Sequence, residues 1–332
     1  MSPRNLQKTL PMLKSYSLAF SHDSKILAIG SRLEIKLCDV ATGKLMRTLT
    51  GHIHAVKSVA FSHDSKLLVS GSEDKTARLW DTWTGETKHT LLSCHVYAVL
   101  SVTFSADWAF IVSGSMDNFV GIWDTATRGL LYKLGRSSIA SKVTSVAVSR
   151  ASTLIAAGIG GTKCTVNLWD VATSELQRTI KGHSSPVYAV AFPHNSKFLA
   201  LGSYDDTAVI WDTATWEILH KLEGHPGGIY SVAFSHDDRL LAFSCGHNGC
   251  IRLWDVITGE EVGTIRHSKK VYSLAFSHDS NLLASASSDD TVRIWTVSDV
   301  HRASLSYYRG TVWGAGSGDS SGGTKQAARL AG

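Results

Sequence analysis

Residues 51–81, GHIHAVKSVAFSHDSKLLVSGSEDKTARLWD, contain the pattern from which the fold of this chain can be predicted. Its closing aromatic-acidic pair returns at intervals of about 42 residues, a period typical of stacked or radial repeat units. The pair, with a substituted residue in the first and last copies, stands at Cys38-Asp39, Trp80-Asp81, Trp123-Asp124, Trp169-Asp170, Trp211-Asp212, Trp254-Asp255 and Trp295-Thr296. The pattern therefore indicates seven repeats.

Each repeat contains four short apolar runs separated by turn residues. The first run, such as VKSVAF at 56–61, is rich in β-branched and aromatic residues, which favour strands. An SHDS-type segment follows it, and we interpret its His-Asp pairs as parts of tight turns and not as catalytic dyads. These pairs are His22-Asp23, His63-Asp64, His236-Asp237 and His278-Asp279. Four strands in each of seven repeats, without a helical segment, predict an all-β, seven-bladed β-propeller.

The repeats resemble those of the WD-repeat family. The resemblance is carried by Gly-His dipeptides that precede Trp-Asp pairs, and it covers residues 4 to about 297. Three such combinations are Gly51-His52 with Trp80-Asp81, Gly182-His183 with Trp211-Asp212, and Gly224-His225 with Trp254-Asp255. The near-identity of the repeats is similar in style to the WD repeats of fungal NACHT-type signalling proteins, although this sequence contains no NTPase motif.

The resemblance implies how the ring is closed. In the family the first strand of the sequence often completes the last blade, and LQKTL at 6–10 matches the fourth-strand segment LQRTI at 176–180. We expect residues 4–10 to pair within 271–297; the alternative is HRASLSYYR after Trp295, whose phase is poorer. The predicted domains are a propeller at 4–297 and a Gly/Ser-rich tail at 298–332 that is mostly disordered.

The resemblance also implies a structural hydrogen-bond network of Asp, His, Ser and Trp in each blade, because an unpaired buried polar group costs roughly 1–3 kcal/mol. We expect complete sets in the second, third and seventh blades: His52, Ser70, Asp74 and Trp80; His95, Ser113, Asp117 and Trp123; His267, Ser285, Asp289 and Trp295. The fifth blade is expected to keep His183, Asp205 and Trp211 with Leu201 in place of Ser, and the sixth to keep His225, Ser244 and Trp254 with Asn248 in place of Asp. Blades one and four, which keep at most Trp169, are expected to be the softest part of the ring.

Composition and motifs exclude several classes of function. Hydrophobic residues make up 43% and charged residues 18%, and no apolar run approaches the roughly 20 residues of a membrane span. The start has no secretory signal, so the expected location is the cytosol, with the nucleus as the alternative. The five cysteines lack the spacing of zinc or redox sites, and no phosphate loop, HExxH or nucleophile elbow is present. We expect no catalytic residue, no metal and no cofactor.

The expected binding face follows from the resemblance, since propellers usually bind partners where the loops entering the first strands meet the central channel. The partner-binding residues chosen by phase are Tyr16, Lys57, Tyr188, Tyr204, Tyr230, His247, Lys270 and Tyr272. Aromatic rings with a polar tip anchor protein interfaces. Lysines on or near the same rim favour an acidic partner: Lys14, Lys57, Lys142, Lys269 and Lys270. The alternative is that the tyrosines only fill the mouth of the channel.

The resulting hypothesis is a non-catalytic protein-protein interaction scaffold, with a sensing or regulatory role in a signalling complex. One alternative is a substrate receptor of a ubiquitin ligase, disfavoured because no F-box-like helical segment precedes the repeats. Another is an RNA or chromatin binder, for which a net charge of +5 is the only support. The sequence leaves open the partner, the oligomeric state and whether the chain is part of a longer protein.

Overall fold

The structure is a computed structural model that describes residues 6–12, 14–91, 95–135 and 141–298. Within these ranges, 28 strands form seven antiparallel sheets of four strands each. The seven-bladed β-propeller predicted from the sequence is confirmed. Residues 299–332 of the predicted tail, including HRASLSYYR, lie outside the described residues.

Six blades consist of four consecutive strands in the order of the chain. Blades one and two contain β2 (Ser17–Phe20), β3 (Ile26–Gly30), β4 (Glu34–Asp39) and β5 (Leu45–Thr50), then β6 (Val56–Phe61), β7 (Leu67–Ser72), β8 (Ala77–Asp81) and β9 (Thr87–Leu91). Blades three and four contain β10 (Val99–Phe104), β11 (Phe110–Ser115), β12 (Phe119–Asp124) and β13 (Leu130–Gly135), then β14 (Ser141–Val148), β15 (Leu154–Gly161), β16 (Thr165–Asp170) and β17 (Leu176–Ile180). Blades five and six contain β18 (Val187–Ala191), β19 (Phe198–Ser203), β20 (Ala208–Asp212) and β21 (Ile218–Leu222), then β22 (Ile229–Phe234), β23 (Leu240–Cys245), β24 (Cys250–Asp255) and β25 (Glu261–Arg266).

The seventh blade joins the two ends of the propeller. Its strands are β26 (Val271–Phe276), β27 (Leu282–Ser287), β28 (Thr291–Thr296) and the first strand of the chain, β1 (Leu6–Pro11). Strand β1 lies antiparallel to β28, with Thr9 opposite Arg293 and Leu10 opposite Val292. The expected closure by the N-terminal strand is confirmed, and it covers the edge that β28 would otherwise expose.

Apolar residues on both faces of the inner strands pack each blade against its neighbours. One buried cluster, for example, combines Ile35 and Leu37 of blade one with Val59, Leu68 and Trp80 of blade two. Burying a side chain of this size stabilises the fold by about 1.5–3 kcal/mol. The first strand of each blade contacts the first strand of the next, and β26 contacts β2, so the ring is closed.

A serine in the first strand also links most blades to the next one. The Ser17 hydroxyl oxygen accepts a hydrogen bond from the backbone N–H of Val59 at 3.0 Å. Equivalent bonds join Ser58 to Val102, Ser101 to Val146, Ser145 to Val190, Ser231 to Leu274 and, across the closure, Ser273 to Leu18. Blade five has Ala189 at this position. The repeated SVAF segment thus carries an inter-blade contact that our sequence analysis did not identify.

Candidate functional site

Five tyrosines lie together on one end of the ring, where the chain enters the first strands and turns between the second and third strands. We call this end the loop face and these residues the tyrosine arc: Tyr16, Tyr188, Tyr204, Tyr230 and Tyr272. The rings of Tyr188 and Tyr230 are stacked, with centroids 5.3 Å apart and 7° between their planes. Tyr204 meets both of them edge-on, Tyr272 meets Tyr230 at 6.2 Å, and Tyr16 meets Tyr272 at 5.9 Å. The arc is therefore one continuous aromatic surface across blades five, six, seven and one.

Lysine side chains lie against the arc. The ammonium group of Lys57 is 4.1 Å from the centroid of the Tyr16 ring, and that of Lys270 is 5.2 Å from the Tyr230 ring. Lys142 is 5.8 Å from the Tyr188 ring. The ammonium of Lys270 also donates a hydrogen bond to the Tyr230 hydroxyl, and this bond raises the pKa of the lysine. Cation–π contacts of this kind hold positive charge beside the rings.

Acidic groups balance part of this charge. Glu73 forms an ion pair with Lys57 at 3.5 Å. Asp290 accepts a hydrogen bond from the backbone N–H of Lys14, and Asp206 accepts one from that of Gly228. Lys269 and Lys14 are exposed. The loop face therefore carries a mixture of charges with lysines next to the aromatic rings.

His247 lies beside the arc and takes no part in its ring contacts among the described residues. Its backbone N–H donates to the carbonyl of Pro226, which holds the turn between β23 and β24 against the loop before β22. In that loop Gly228 has φ +82, and a Cβ there would lie 2.6 Å from the ring of Tyr204. Glycine at this position therefore lets the loop pack on the arc, while the side chain of His247 remains exposed.

The loop face extends over blades one to three as an apolar surface that our sequence analysis missed. Ile53 and Val96, each directly after the network histidine of its blade, are 71% and 63% exposed. Tyr97, Met116 and Leu33 in neighbouring loops are also exposed. The sequence contained a signal for these residues. Directly after the network histidine, blades two and three have Ile53 and Val96, whereas blades five, six and seven have Ser184, Pro226 and Ser268.

The hydrogen-bond network is complete in blades two, three and seven. In blade two the Trp80 indole N–H donates to the Ser70 oxygen at 2.8 Å, and Ser70 lies 2.7 Å from His52 Nε2. His52 Nδ1 lies 2.7 Å from the carboxylate of Asp74. The same contacts join Trp123, Ser113, His95 and Asp117 in blade three, and Trp295, Ser285, His267 and Asp289 in blade seven.

The network carboxylates are held in the ionised state. Burial opposes ionisation of Asp74, but hydrogen bonds from His52 and Thr76 outweigh it and place its pKa well below the usual range. The pKa values of Asp117, Asp205 and Asp289 are lowered for similar reasons. Burial lowers the pKa of His267 to about 4. In blade seven the network thus joins a neutral imidazole to an ionised carboxylate within the blade, which suits a structural role.

Blade five contains only half of the network. His183 Nδ1 lies 3.0 Å from Asp205, but Leu201 occupies the position of the serine. His183 Nε2 and Trp211 Nε1 are buried and have no hydrogen-bond partner among the described residues. Leu201 is the residue expected at this position from the sequence.

Blade six departs from the expectation for Ser244. This residue lies opposite Ile251 in the sheet, and its hydroxyl bonds to the backbone of Ser231, so it does not reach His225. Phe243 lies opposite Arg252, the position that corresponds to Ser70 opposite Arg78 in blade two. Its ring meets His225 at 5.3 Å. The expectation for Ser244 is wrong because the turn between β23 and β24 has one residue more than its counterpart in blade two, and in a strand a shift of one residue moves the side chain to the other face.

Blades one and four lack the network. Ile29 and Cys38 of blade one occupy the Ser and Trp positions and are buried, and burial raises the pKa of the Cys38 thiol to about 11. In blade four Ala157 lies at the Ser position, and Trp169 is buried. The greater softness expected for these two blades stays a prediction.

Five histidines meet at the end of the ring opposite the loop face, in the SHDS-type turns and their counterpart in blade five. We call these residues the histidine cluster: His22, His63, His194, His236 and His278. The ring centroids of His22 and His63 are 3.6 Å apart, those of His194 and His236 are 4.2 Å apart, and His278 lies within 4.8 Å of both His22 and His236. The aspartates of the SHDS-type turns accept hydrogen bonds within their own turns. Asp23, for example, accepts one from the Ser21 hydroxyl at 2.7 Å.

Four histidines of the cluster favour the neutral form of the ring. Burial lowers the pKa values of His22, His194 and His236, with contributions from neighbouring histidines and Arg150, and it lowers that of His278 to about 4. In the described ranges, no three His, Cys, Asp or Glu side chains are arranged to hold a metal ion. No helix in the described part of the chain is long and apolar enough to cross a membrane.

Comparison with known families agrees with the repeat pattern. The WD40 profile, described as "WD domain, G-beta repeat", matches residues 43–81, 85–124, 132–170, 174–212, 216–255 and 259–296. The chain belongs to the WD40 family. The profile leaves the first three strands of blade one unmatched, in agreement with the loss of the network there.

One curated relative is Pre-mRNA-processing factor 19 of Oryza sativa subsp. japonica. It is 28% identical over 189 residues, which is 55% of this chain. The match spans 35% of the length of the rice protein, so this chain is similar to about a third of it.

Proposed function

We propose that this WD40 propeller, which we assign to residues 4–297, is a non-catalytic scaffold that binds a protein partner through the tyrosine arc. The proposal rests on the arc, in which the side chains of five tyrosines are contiguous. They lie at the end of the propeller where the loops are free to contact another molecule. Tyrosine offers a large apolar ring and a polar tip at a low cost in side-chain entropy, which suits it to interface centres. Tyr204 is 49% exposed, so part of this surface is open to solvent.

The partner that this surface suits is a peptide segment or domain with acidic groups next to apolar ones. Lys57, Lys142 and Lys270 lie against the rings, so an incoming carboxylate meets an ammonium group where an apolar side chain meets a tyrosine. The apolar residues Ile53 and Val96 extend the surface for a larger partner. A regulatory role in a signalling complex in the cytosol, or in the nucleus, is consistent with this binding mode, as in the fungal NACHT-type proteins that the repeats resemble.

The test is affinity capture with the full chain and a variant carrying Tyr188→Ala, Tyr230→Ala and Tyr272→Ala. We expect partners captured by the wild type to be lost, because the stack of Tyr188 on Tyr230 is removed. The matched control is Trp83→Ala, an 84% exposed aromatic in the turn between β8 and β9, away from the loop face. Equal loss in both variants, or retention in both, contradicts the proposal.

Charge reversal tests the acidic character of the partner separately. Lys269, which is exposed, and Lys270, which lies against the Tyr230 ring, are changed together to Glu. Binding of the captured partner is then measured across salt concentrations. Screening weakens attraction between exposed charges, so the wild type should lose affinity with salt more steeply than the variant. An unchanged affinity and salt dependence would show that the partner is not acidic.

A second candidate function is association with RNA, or with an assembly that processes it. The name of the rice relative favours it, and a substrate receptor of a ubiquitin ligase is the remaining alternative. Gel shift with single-stranded RNA across salt distinguishes RNA binding, because phosphate contacts impose a steep fall of affinity with salt. A measurable and salt-sensitive shift that survives the tyrosine changes would favour this candidate.

A further inference from the structure

The turn between the first and second strands has the same form in all seven blades. In blade one the backbone N–H of Ser24 donates to the carbonyl of Ser21, and His22 directly follows Ser21. This bond recurs in every blade, so the second residue of each turn occupies an equivalent position at the end of the ring opposite the loop face. These residues are His22, His63, Ala106, Arg150, His194, His236 and His278.

Blades three and four differ from the other five at this position. Five blades have His, whereas blade four has Arg150 and blade three has Ala106. The backbone N–H of Arg150 donates to the Ser196 hydroxyl oxygen of the next blade at 2.7 Å, and that of His22 donates to Ser65 at 2.8 Å. Hydrogen bonds from turn to turn therefore fix both residues on the ring.

A pocket of about 170 Å³ lies beside Ala106, whose methyl group takes less space than the histidine or arginine of the other blades. Roughly 10–15 Å³ is enough for one water molecule, so the pocket has room for a polyatomic ion. No Asp or Glu of the described ranges lines it. The titratable and charged residues in its wall are His22, His63, Arg150, His236 and His278.

The pocket combines a positive charge with carboxylates that are engaged elsewhere. Asp107, next to Ala106, accepts a hydrogen bond from the backbone N–H of Ala109. Asp238 accepts one from the backbone N–H of His194. The exposed guanidinium of Arg150 has no ion pair and no hydrogen bond to the described residues. Its charge is therefore available to a solute.

The histidines of the pocket wall add hydrogen-bond donors. The Nδ1 atoms of His22 and His63 lie 2.8 Å apart, so one ring donates and the other accepts. The accepting ring then carries its proton on Nε2. His22, His63 and His236 are half-buried, and none of their ring nitrogens is enclosed without a partner in the described part of the chain. A solute can therefore reach their free ring nitrogens, whereas Nδ1 of His278 is enclosed.

We propose that this pocket binds a small tetrahedral dianion of the phosphate and sulfate class. The Arg150 guanidinium is its main partner, because its planar fork matches two oxygens of such an anion. Imidazole N–H groups of His22, His63 and His236 supply further hydrogen bonds. The site lies at the end of the ring opposite the tyrosine arc and does not depend on the proposed function.

The surrounding charges should make binding stronger in acid. Arg150 contributes to the lowered pKa values of His22, His194 and His236, so its positive charge acts on all three. A bound dianion offsets this repulsion and favours the imidazolium form. Binding should therefore take up protons and strengthen as the pH falls below the ordinary histidine pKa of 6.5. The other groups that act on these histidines are His63, which adds to the repulsion, and Asp23 and Asp238, which oppose it.

The test is a calorimetric titration of the full chain with sulfate at pH 7.5 and at pH 5.5, with chloride at the same ionic strength as the control. Sulfate stays dianionic across this range, so a change in affinity reports on the protein. We expect one saturable site whose affinity rises about tenfold, the change that uptake of about half a proton produces over two pH units.

Two variants separate the charge from the space. Arg150→Gln removes the permanent charge and should weaken sulfate binding at least about tenfold. Its matched control is Arg239→Gln, an exposed arginine of the corresponding turn in blade six that does not line the pocket, and it should bind within about twofold of the wild type. Ala106→Leu fills the pocket without changing any charge and should weaken binding as much as Arg150→Gln.

Inorganic phosphate and phenyl phosphate, compared at pH 7.5, distinguish the two sources of such an anion. Tighter binding of inorganic phosphate assigns the pocket to a free ion. Tighter binding of phenyl phosphate assigns it to a phosphoryl group of a larger molecule, whose apolar part packs on the aromatic rings that line the pocket, Phe61, Phe104 and Trp108.

Three results would overturn the proposal. One is a sulfate titration that does not differ from the chloride control. Another is an equal loss of affinity in Arg150→Gln and Arg239→Gln, which indicates a diffuse effect of net charge. The third is an unchanged affinity in a folded Ala106→Leu variant, which places the anion outside the pocket.

Discussion

Blade two and blade five have histidine, aspartate and tryptophan at the same three positions, but only blade two has a serine between them. Ser70 joins His52 to Trp80, whereas Leu201 leaves His183 Nε2 and Trp211 Nε1 without partners among the described residues. Both blades nonetheless form the same four strands in the same antiparallel order. The network is therefore not needed to specify the blade, and apolar burial together with strand pairing does so.

The complete network stabilises its blade through hydrogen bonds between specific atoms. This contribution can be measured by breaking the network in blade two and making the matching change in blade five. In a ring of repeats each blade is stabilised mainly by its neighbours, so a local change should lower the denaturant midpoint of the whole ring only if the blades unfold together.

The largest effect is expected for His52→Leu. The change removes the hydrogen-bond partner of the buried, ionised carboxylate of Asp74 and also frees Ser70, and leaving a buried charge without its partner costs about 3–5 kcal/mol. His183→Leu in blade five should cost about half as much, because it also removes a buried nitrogen that had no partner. The free energy of unfolding from urea titration checks both values. Equal losses in the two variants would show that the serine contributes nothing to the network.

The next effect isolates the hydroxyl by adding it to blade five. Leu201→Thr and Leu201→Val have nearly the same volume, and both lose some apolar burial. Only Thr can bond to His183 and Trp211, so it should be more stable than Val by about 1–2 kcal/mol. The mirror change, Ser70→Ala in blade two, should cost about 2 kcal/mol for the same reason. A Thr variant no more stable than Val would mean that the hydroxyl cannot reach both atoms.

The contrast between blades also shows what a sequence can predict. The period fixes the strands, and the match of Leu6–Leu10 to a fourth strand correctly placed β1 beside β28. The error at Ser244 arose in a turn, because counting from Trp254 assumed a turn of constant length. The distance from His225 to Trp254 is one residue longer than from His52 to Trp80, so the sequence contained the signal.

The spatial grouping of side chains could not be read in the same way. Phase placed the tyrosines on one face, but the stack of Tyr188 on Tyr230 depends on ring orientation, which a repeat pattern does not contain. The sequence indicates only that the residues of the histidine cluster lie in turns, because the convergence of turns from different blades depends on the radius of the ring. That a protein partner binds the loop face stays a prediction.

A smaller effect is expected for the serines that link the blades. Ser58→Ala removes the hydrogen bond that the backbone N–H of Val102 donates to the serine oxygen, together with the longer one that the hydroxyl donates to the Val102 carbonyl, and should cost about 1 kcal/mol. Blade five has Ala189 at the equivalent position, so Ala189→Ser tests whether the link can be added toward Val232. We expect a gain of about 0.5–1 kcal/mol in the free energy of unfolding. A loss instead of a gain would indicate that the 5% exposed Ala189 has no room for the oxygen.

The smallest effect at neutral pH, and one that grows in acid, is expected for the histidine cluster. His22, His194, His236 and His278 have pKa values lowered in the folded protein, so the unfolded chain takes up protons first as the pH falls. Stability contributed by the neutral rings is therefore complete above the ordinary pKa of 6.5 and is lost as the pH falls toward about 4, the pKa of His278. Arg150 and His63 add to the repulsion, whereas Asp23 and Asp238 oppose it.

Changing His236 and His278 together to Gln removes two of these titrations while keeping polar side chains at the same positions. The variant and the wild type should differ by a constant amount above pH 7, and the wild type should lose stability more steeply between pH 6.5 and 4. The network histidines His225 and His267, whose pKa values are also lowered to about 4, are present in both proteins and cancel in the difference. The measurement is the urea midpoint of both proteins across this pH range. If the two curves of midpoint against pH run parallel, the cluster opens enough in solution to hydrate its rings, and the buried networks alone set the acid sensitivity of the propeller.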